Sequence, residues 1–309
     1  MRNALLNTVA AAGLLMAGSS AIAGVWVPAN PPQGSQSMLL FGINDNNIVT
    51  GAYVDSSGVQ RGFVGPFDGS KYKSFDDSGG VTEPRSLNDK KLITGYDTGT
   101  LVPWERLSDG TLTDVTKSGA PLNQIAQGIN INGVFSGNYL NSKGLSVGYL
   151  GKKSKYTDKF KLTISNSGYA GRAINTAGDI AGWYYDPSTG LQRGFAIVGG
   201  KAKGIDYPNA AYTVMEGLND NGVASGQYQD SSGVIHGFIY DLGTKTFTSL
   251  EAPGASLTQA WGISNNNVVA VSADIGSFVY CIKKGTCPQS AGAFRNTQHI
   301  SGKYTPARP

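Results

Sequence analysis

An asparagine-centred turn recurs along the chain at Asn44, Asn88, Asn130, Asn175 and Asn219, with Ser264 in the sixth place, at intervals of 44, 42, 45, 44 and 45 residues. Self-similarity at so fixed a period marks a solenoid or a propeller, not a string of unrelated domains. Each copy opens on a short apolar strand running into the turn: GINDNN, SLNDKK, GININGV, AINTAGD, GLNDNGV and GISNNNV. Asn, Asp and Gly suit such turns because they tolerate the left-handed backbone of tight hairpins.

A second strand follows, ending in Gly and usually Tyr, as in IVTGAYVD, VFSGNYLN and VASGQYQD. Val49, Gly51, Tyr53 and Asp55 alternate onto one face of it. An apolar residue, a Gly and an aromatic on one face predict contact between sheets, the Gly letting a neighbouring sheet's ring come close. After a Gly-containing turn, a third strand carries a Gly-aromatic pair: Gly62-Phe63, Gly148-Tyr149, Gly194-Phe195 and Gly237-Phe238, with Pro103-Trp104 in copy two and Ser277-Phe278 in copy six. A fourth strand closes the unit. Four strands per period without helical periodicity predict an all-β fold, a six-bladed β-propeller of four-stranded antiparallel blades.

Only five fourth strands lie between the six sets of the first three. Val25 to Pro28 resembles a fourth strand without its partners, and is predicted to pair with copy six and close the ring. The tail from Pro288 to Pro309 is the rival for that position.

The first 23 residues read as a secretory signal peptide: a short basic start, the apolar run ALLNTVAAAGLLM and the small-residue site Ala21-Ile22-Ala23. The expected organisation is a signal peptide at 1–23, a six-repeat domain at 24–287 and a tail at 288–309. The mature product is then secreted, extracellular or periplasmic, after cleavage near Ala23. No later run is long and apolar enough to span a membrane, so no integral segment is expected in the mature chain.

Charged residues are 15% of the chain and its formal charge is +4, with the basic groups scattered apart from GKKSKYTDKFK at 151–161. That is not the footprint of a nucleic-acid binder, and the lysine run reads as a solvated face. Cys281 and Cys287 flank a short turn and are expected to form one structural disulfide in an oxidising compartment.

The pattern GIN-turn-G-x-Y-turn-(R/H)-G-F resembles the HAF-type extracellular repeat of bacterial secreted proteins, named for a His-Ala-Phe triplet in the third strand. Here the triplet stands as Arg61-Gly62-Phe63, Arg193-Gly194-Phe195 and His236-Gly237-Phe238. The resemblance spans residues 41 to 280 and implies an exported, propeller-like protein; it carries no activity over to this chain.

Candidate chemistry is sparse. With only His236 and His299 present, a three-His metal site is out of reach, and His236 sits where Arg61 and Arg193 stand in other copies. Neither metal nor nucleotide cofactor is implied. Glu83, Glu105, Glu216 and Glu251 are the residues to inspect for an acid/base pair; Glu216 is placed to face a central channel, while Glu83 and Glu251 are read as lying in the links before a first strand. Asp55, Asp97, Asn141, Asp186 and Asp230 end five successive second strands, a ring suited to a cation or sugar hydroxyls, or else caps for their own turns. Trp104 and Trp183 mark places where the copies differ. The expectation is a non-catalytic propeller that recognises a glycan, a surface polymer or a protein; the alternatives are a propeller-fold glycoside hydrolase or lyase using central carboxylates, and a structural envelope component.

Overall fold

The computed structural model describes residues 24–76, 81–116, 123–152, 155–158, 160–283 and 287. The expected signal peptide, the C-terminal tail and the middle of the lysine run fall outside them. Six four-stranded antiparallel sheets form the blades of a propeller, and in five of them the strands are neighbours in chain order. The sixth combines Val25–Pro28 with Gly276–Cys281, Val268–Ala273 and Thr258–Ile263. Val25 pairs with Cys281 and Pro28 with Phe278, so the N-terminal strand closes the ring and takes the position for which the tail competed. Cys281 and Cys287 form a disulfide at this seam, with Cα atoms 5.4 Å apart.

The hydrophobic core lies between blades. One cluster joins Met38, Leu40, Val49 and Tyr53 of blade one to Val268, Ala270 and Val279 of blade six. Another joins Ala181 and Ile205 of blade four to Met215, Tyr228 and Phe238 of blade five. The second-strand glycines serve a different contact from the one expected. Gly51 pairs with Phe63, Gly137 with Tyr149 and Gly226 with Phe238, each within its own sheet. A Cβ on Gly226 would stand 2.2 Å from the Val214 carbonyl oxygen and 2.6 Å from the Phe238 ring, so the glycine makes room for its own blade's aromatic.

The turn asparagines hold the ring together. Each side-chain oxygen folds its own turn: Asn44 Oδ1 accepts the N–H groups of Asn46 and Ile48, and Asn130 Oδ1 those of Asn132 and Val134. Each side-chain amide then donates to the backbone carbonyl of the next blade's counterpart, Asn44 to Asn88 at 3.2 Å, Asn88 to Asn130 at 2.8 Å, Asn130 to Asn175 at 2.9 Å, Asn175 to Asn219 at 3.5 Å and Asn219 to Ser264 at 3.0 Å. An Asp would accept but not donate, which explains why an amide recurs here. The left-handed conformation falls three residues later, at Asn47, Lys91, Gly133, Gly178, Gly222 and Asn267.

Ser264 has no amide to pass on to Asn44. The seam is bridged one residue along, where the Asn265 N–H and Nδ2 donate to the two carboxylate oxygens of Asp45 at 2.6 and 3.1 Å. Restoring the missing donor with Ser264→Asn adds about one neutral hydrogen bond, worth roughly 1 kcal/mol. Thermal unfolding should show a rise of about 2 °C, and an unchanged or lower midpoint would count against the hydrogen-bonded ring as a source of stability.

Candidate functional site

Every first strand breaks register just before its turn, between Leu40 and Gly42, Pro84 and Ser86, Ala126 and Ile129, Gly171 and Ala173, Met215 and Gly217, and Ala260 and Ile263. A bulge of this kind turns the extra residue out of the sheet's alternation. The bulged positions, three residues before each turn Asn or Ser264, are Phe41, Arg85, Gln127, Arg172, Glu216 and Trp261. They meet at the propeller axis. Carbonyls that the bulges free are satisfied from the preceding blade, Thr94 Oγ1 donating to the Gln127 oxygen at 2.5 Å and Ser225 Oγ to that of Trp261.

Arg85 occupies the centre. Its Nε donates to Gln127 Oε1 at 2.9 Å, its Nη1 to Glu83 Oε1 at 2.9 Å and its Nη2 to Glu216 Oε2 at 3.4 Å. Blades two and five stand opposite each other in a ring of six, so the last contact crosses the channel. The guanidinium also lies 4.9 Å from the Phe41 ring centre and 4.6 Å from that of Trp261, which pack edge-on. Glu83 Oε1 further accepts the Tyr96 hydroxyl at 2.9 Å. Glu216 accepts Gln227 Nε2 at 3.4 Å, and Gln227 accepts Gln259 Nε2 at 2.6 Å. Arg172 Nε approaches Glu216 Oε2 at 3.8 Å.

The two ends of the channel differ. At the turn end, an open funnel of about 80 Å³ is ringed by the turn residues, among them Asp45, Asp89, Thr176, Asp220 and Asn265. Burial and the neighbouring Asp45 charge push the Asp89 carboxyl above the usual carboxylate range. At the opposite end, where first strands begin, Tyr212 and Tyr185 stand half-buried over Trp183, Ala170 and Val214. Burial, with Glu216 close by, pushes the Tyr212 phenol up to about 12.

The candidate residues from the sequence fall in three places. On the rim, Asp55, Asn141 and Asp230 each accept two N–H groups of their own turns. Asp186 accepts Ser188 N–H, and Asp97 the N–H groups of Thr100 and Val81. Hydrogen bonding by Arg61 lowers the Asp55 carboxyl, and the Ser232 hydroxyl and His236 lower that of Asp230. His236 lies between Asp230 and Glu251, at 3.1 and 2.8 Å. Arg61 lies likewise between Asp55 and Asp76. Burial works against the imidazolium, but these two carboxylates outweigh it and hold the imidazole above its ordinary value.

Trp104 is 3% exposed and packs edge-on to Phe75 between blades one and two. Trp183 is 1% exposed and belongs to the cluster beneath Tyr185 and Tyr212, 5.2 Å from the Tyr185 ring. Glu216 reaches the channel as expected, and so does Glu83, which lies within the first strand Thr82–Leu87 and not in a link before it. Glu105 is buried in the third strand of blade two. Sequence reasoning passed over Phe41, Arg85, Gln127, Arg172 and Trp261. The signal for them is in the sequence: at the position three before each turn the six copies carry two aromatics, two guanidinium groups, an amide and a carboxylate, where the two positions that follow stay small and then apolar.

Neither a family model nor a curated protein matches the chain. Among solved structures it is similar to TolB from Acinetobacter baumannii, at 12% identity and a TM-score of 0.51 over 83% of this chain and 62% of that one. It is also similar to a catalytically inactive virginiamycin B lyase from Staphylococcus aureus solved with quinupristin, at 11% identity and a TM-score of 0.51 over 83% of this chain and 98% of that one. At such identities the likeness is one of fold.

Proposed function

We propose that the chain is an exported, non-catalytic β-propeller that binds a glycan, a surface polymer or a protein at the tyrosine-flanked end of its axial channel. The observation that carries this reading is Arg85, whose guanidinium joins Glu83 to Glu216 across the axis. A glycoside hydrolase would need the scissile bond of its sugar between the two carboxyl groups; here a guanidinium takes that space. What the same end offers is recognition chemistry: the phenols of Tyr185 and Tyr212, the amide of Gln227 and the guanidinium of Arg172. Export is supported by the disulfide, which suits an oxidising compartment. The place of Arg61, Arg193 and His236 before Gly and Phe supports kinship with the HAF-type repeats.

Residues 24–309 should retain specific glycans or envelope polymers on an array, with none of the retained polymers shortened on prolonged incubation. Turnover of a bound polysaccharide that is abolished by Glu216→Gln would overturn the non-catalytic reading.

A further inference from the structure

Four buried N–H groups in and beside the channel meet no acceptor: Gln127 Nε2, Arg172 Nε, Trp261 Nε1 and Trp183 Nε1. Gln127 and Trp183 are each 1% exposed and Trp261 6%, so solvent does not serve them either. Native interiors leave few polar groups unpaired, and a group of them in one place calls for an explanation. All four are donors, and three belong to the ring of bulged residues. The nearby carboxylates are engaged elsewhere, Glu83 Oε1 by Arg85 and Tyr96 and Glu216 by Arg85 and Gln227.

Arg172 is the loosely held member. Its 3.8 Å approach to Glu216 lies beyond hydrogen-bond range. Its side chain is 19% exposed, and the other five residues of the ring are buried. Arg172 does not line the funnel at the turn end, and the Glu216 carboxylate it approaches is also the charge that acts on the Tyr212 phenol.

We propose that the tyrosine-flanked end of the channel binds a carboxylate carried on a sugar ring, that is, a uronic-acid residue of an acidic glycan. The assignment rests on the binding function proposed above and narrows it. A carboxylate is acceptor-only and matches the planar fork of a guanidinium in two parallel hydrogen bonds. Glu216 keeps Arg85 when Arg172 turns to the ligand, so neither glutamate is stranded. Outward movement of Arg172 opens the ring where Gln127 Nε2 and Trp261 Nε1 lack acceptors, within reach of the ligand's remaining lone pairs or of a bridging water. Tyr185 and Tyr212 supply apolar faces for the sugar's C–H groups, with their hydroxyls left for its oxygens. A free small carboxylate offers the same charge without the ring, and the titration separates the two sources.

The test is tryptophan emission and calorimetry on residues 24–309, titrated with an oligogalacturonate, a neutral oligosaccharide of equal length and sodium acetate. Trp183 and Trp261 line the site and report its occupation. The oligogalacturonate should bind saturably and more weakly as salt is raised, with the neutral sugar and acetate far behind. Arg172→Gln should weaken it by roughly thirtyfold or more, the size expected for one partner of a buried charge pair, while thermal unfolding confirms an intact fold. Arg172→Lys should fall between the two, since it keeps the charge and loses the fork. Acetate binding as tightly as the oligogalacturonate would overturn the sugar assignment. Neutral sugar binding as tightly would overturn the carboxylate and leave the general binding function standing. Equal affinity of Arg172→Gln and the unaltered protein would overturn the site.

Discussion

A chain lacking Val25–Pro28 should melt more than about 10 °C below the full domain or lose a cooperative transition altogether. The segment is short, but it is the outer strand of the blade built from both ends of the chain. Val27 is buried in the cluster joining blades one and six, and Trp26 packs 4.7 Å from Tyr280 and 6.0 Å from Phe278 between ring centres. Burying one such apolar side chain is worth about 1.5–3 kcal/mol, and two of them plus a strand's backbone pairing reach roughly 5 kcal/mol. At about 2–4 °C per kcal/mol for a domain near this size, the shift exceeds 10 °C. Removal also leaves Gly276–Cys281 as a naked edge able to pair with another copy. Differential scanning calorimetry settles it; a midpoint within about 2 °C of the full domain would mean that the ring does not depend on this strand. Because the Phe41–Trp261 contact and the Asp45–Asn265 bonds cross the same seam, loss of closure should abolish ligand binding too.

The blade and its closure were readable because they rest on a period and on a count of strands, both of which survive without knowing what touches what. Features that depend on the neighbouring blade were not. The spacing of Asn44, Asn88 and Asn130 was plain, but their amides donate across blades, and nothing within one repeat shows an acceptor forty-odd residues away. The left-handed site lies at Asn47, Lys91 and Asn267, inside turns whose later N–H groups donate back to the side-chain oxygen of Asn44, Asn88 or Ser264. Alternation placed Gly51 and Tyr53 on one face but did not say whose ring covers the glycine. The bulge did most to hide the channel. One extra residue shifts the period of two, so alternation along the strand does not single out Arg85, although it is turned to the axis beside Glu216, the one member of the ring that its place before GLND reveals. Glu83 reads as part of a link, yet the strand Thr82–Leu87 includes it and runs on through Pro84 at the register break, a bulge being one of the few places where a strand accepts proline.

Replacing Arg85 by Met should destabilise the domain by about 3–5 kcal/mol, the range for removing one partner of a buried ion pair. The side chains of Arg85, Glu83 and Glu216 are 6%, 5% and 3% exposed, so both glutamates would remain in the channel with their main cation gone. Arg172, held at 3.8 Å by Glu216, is placed to compensate that residue but not Glu83. Methionine fills most of the volume and keeps contact with Phe41 and Trp261, which separates the loss of charge from the opening of a cavity. The triple variant Glu83→Gln, Arg85→Met, Glu216→Gln should recover most of the loss, because replacing all the members of a buried ion network at once often comes near to neutral. Urea unfolding of the two variants beside the unaltered domain provides the measurement. A single variant that loses less than about 1 kcal/mol, the scale of exposed pairs, would show that the channel is wetter than its geometry indicates and that the three charges are solvated separately. A triple variant no better than the single would show that Arg85 acts chiefly through its stacking on Phe41 and Trp261, and the plug would then be aromatic, with the glutamates left available for other chemistry.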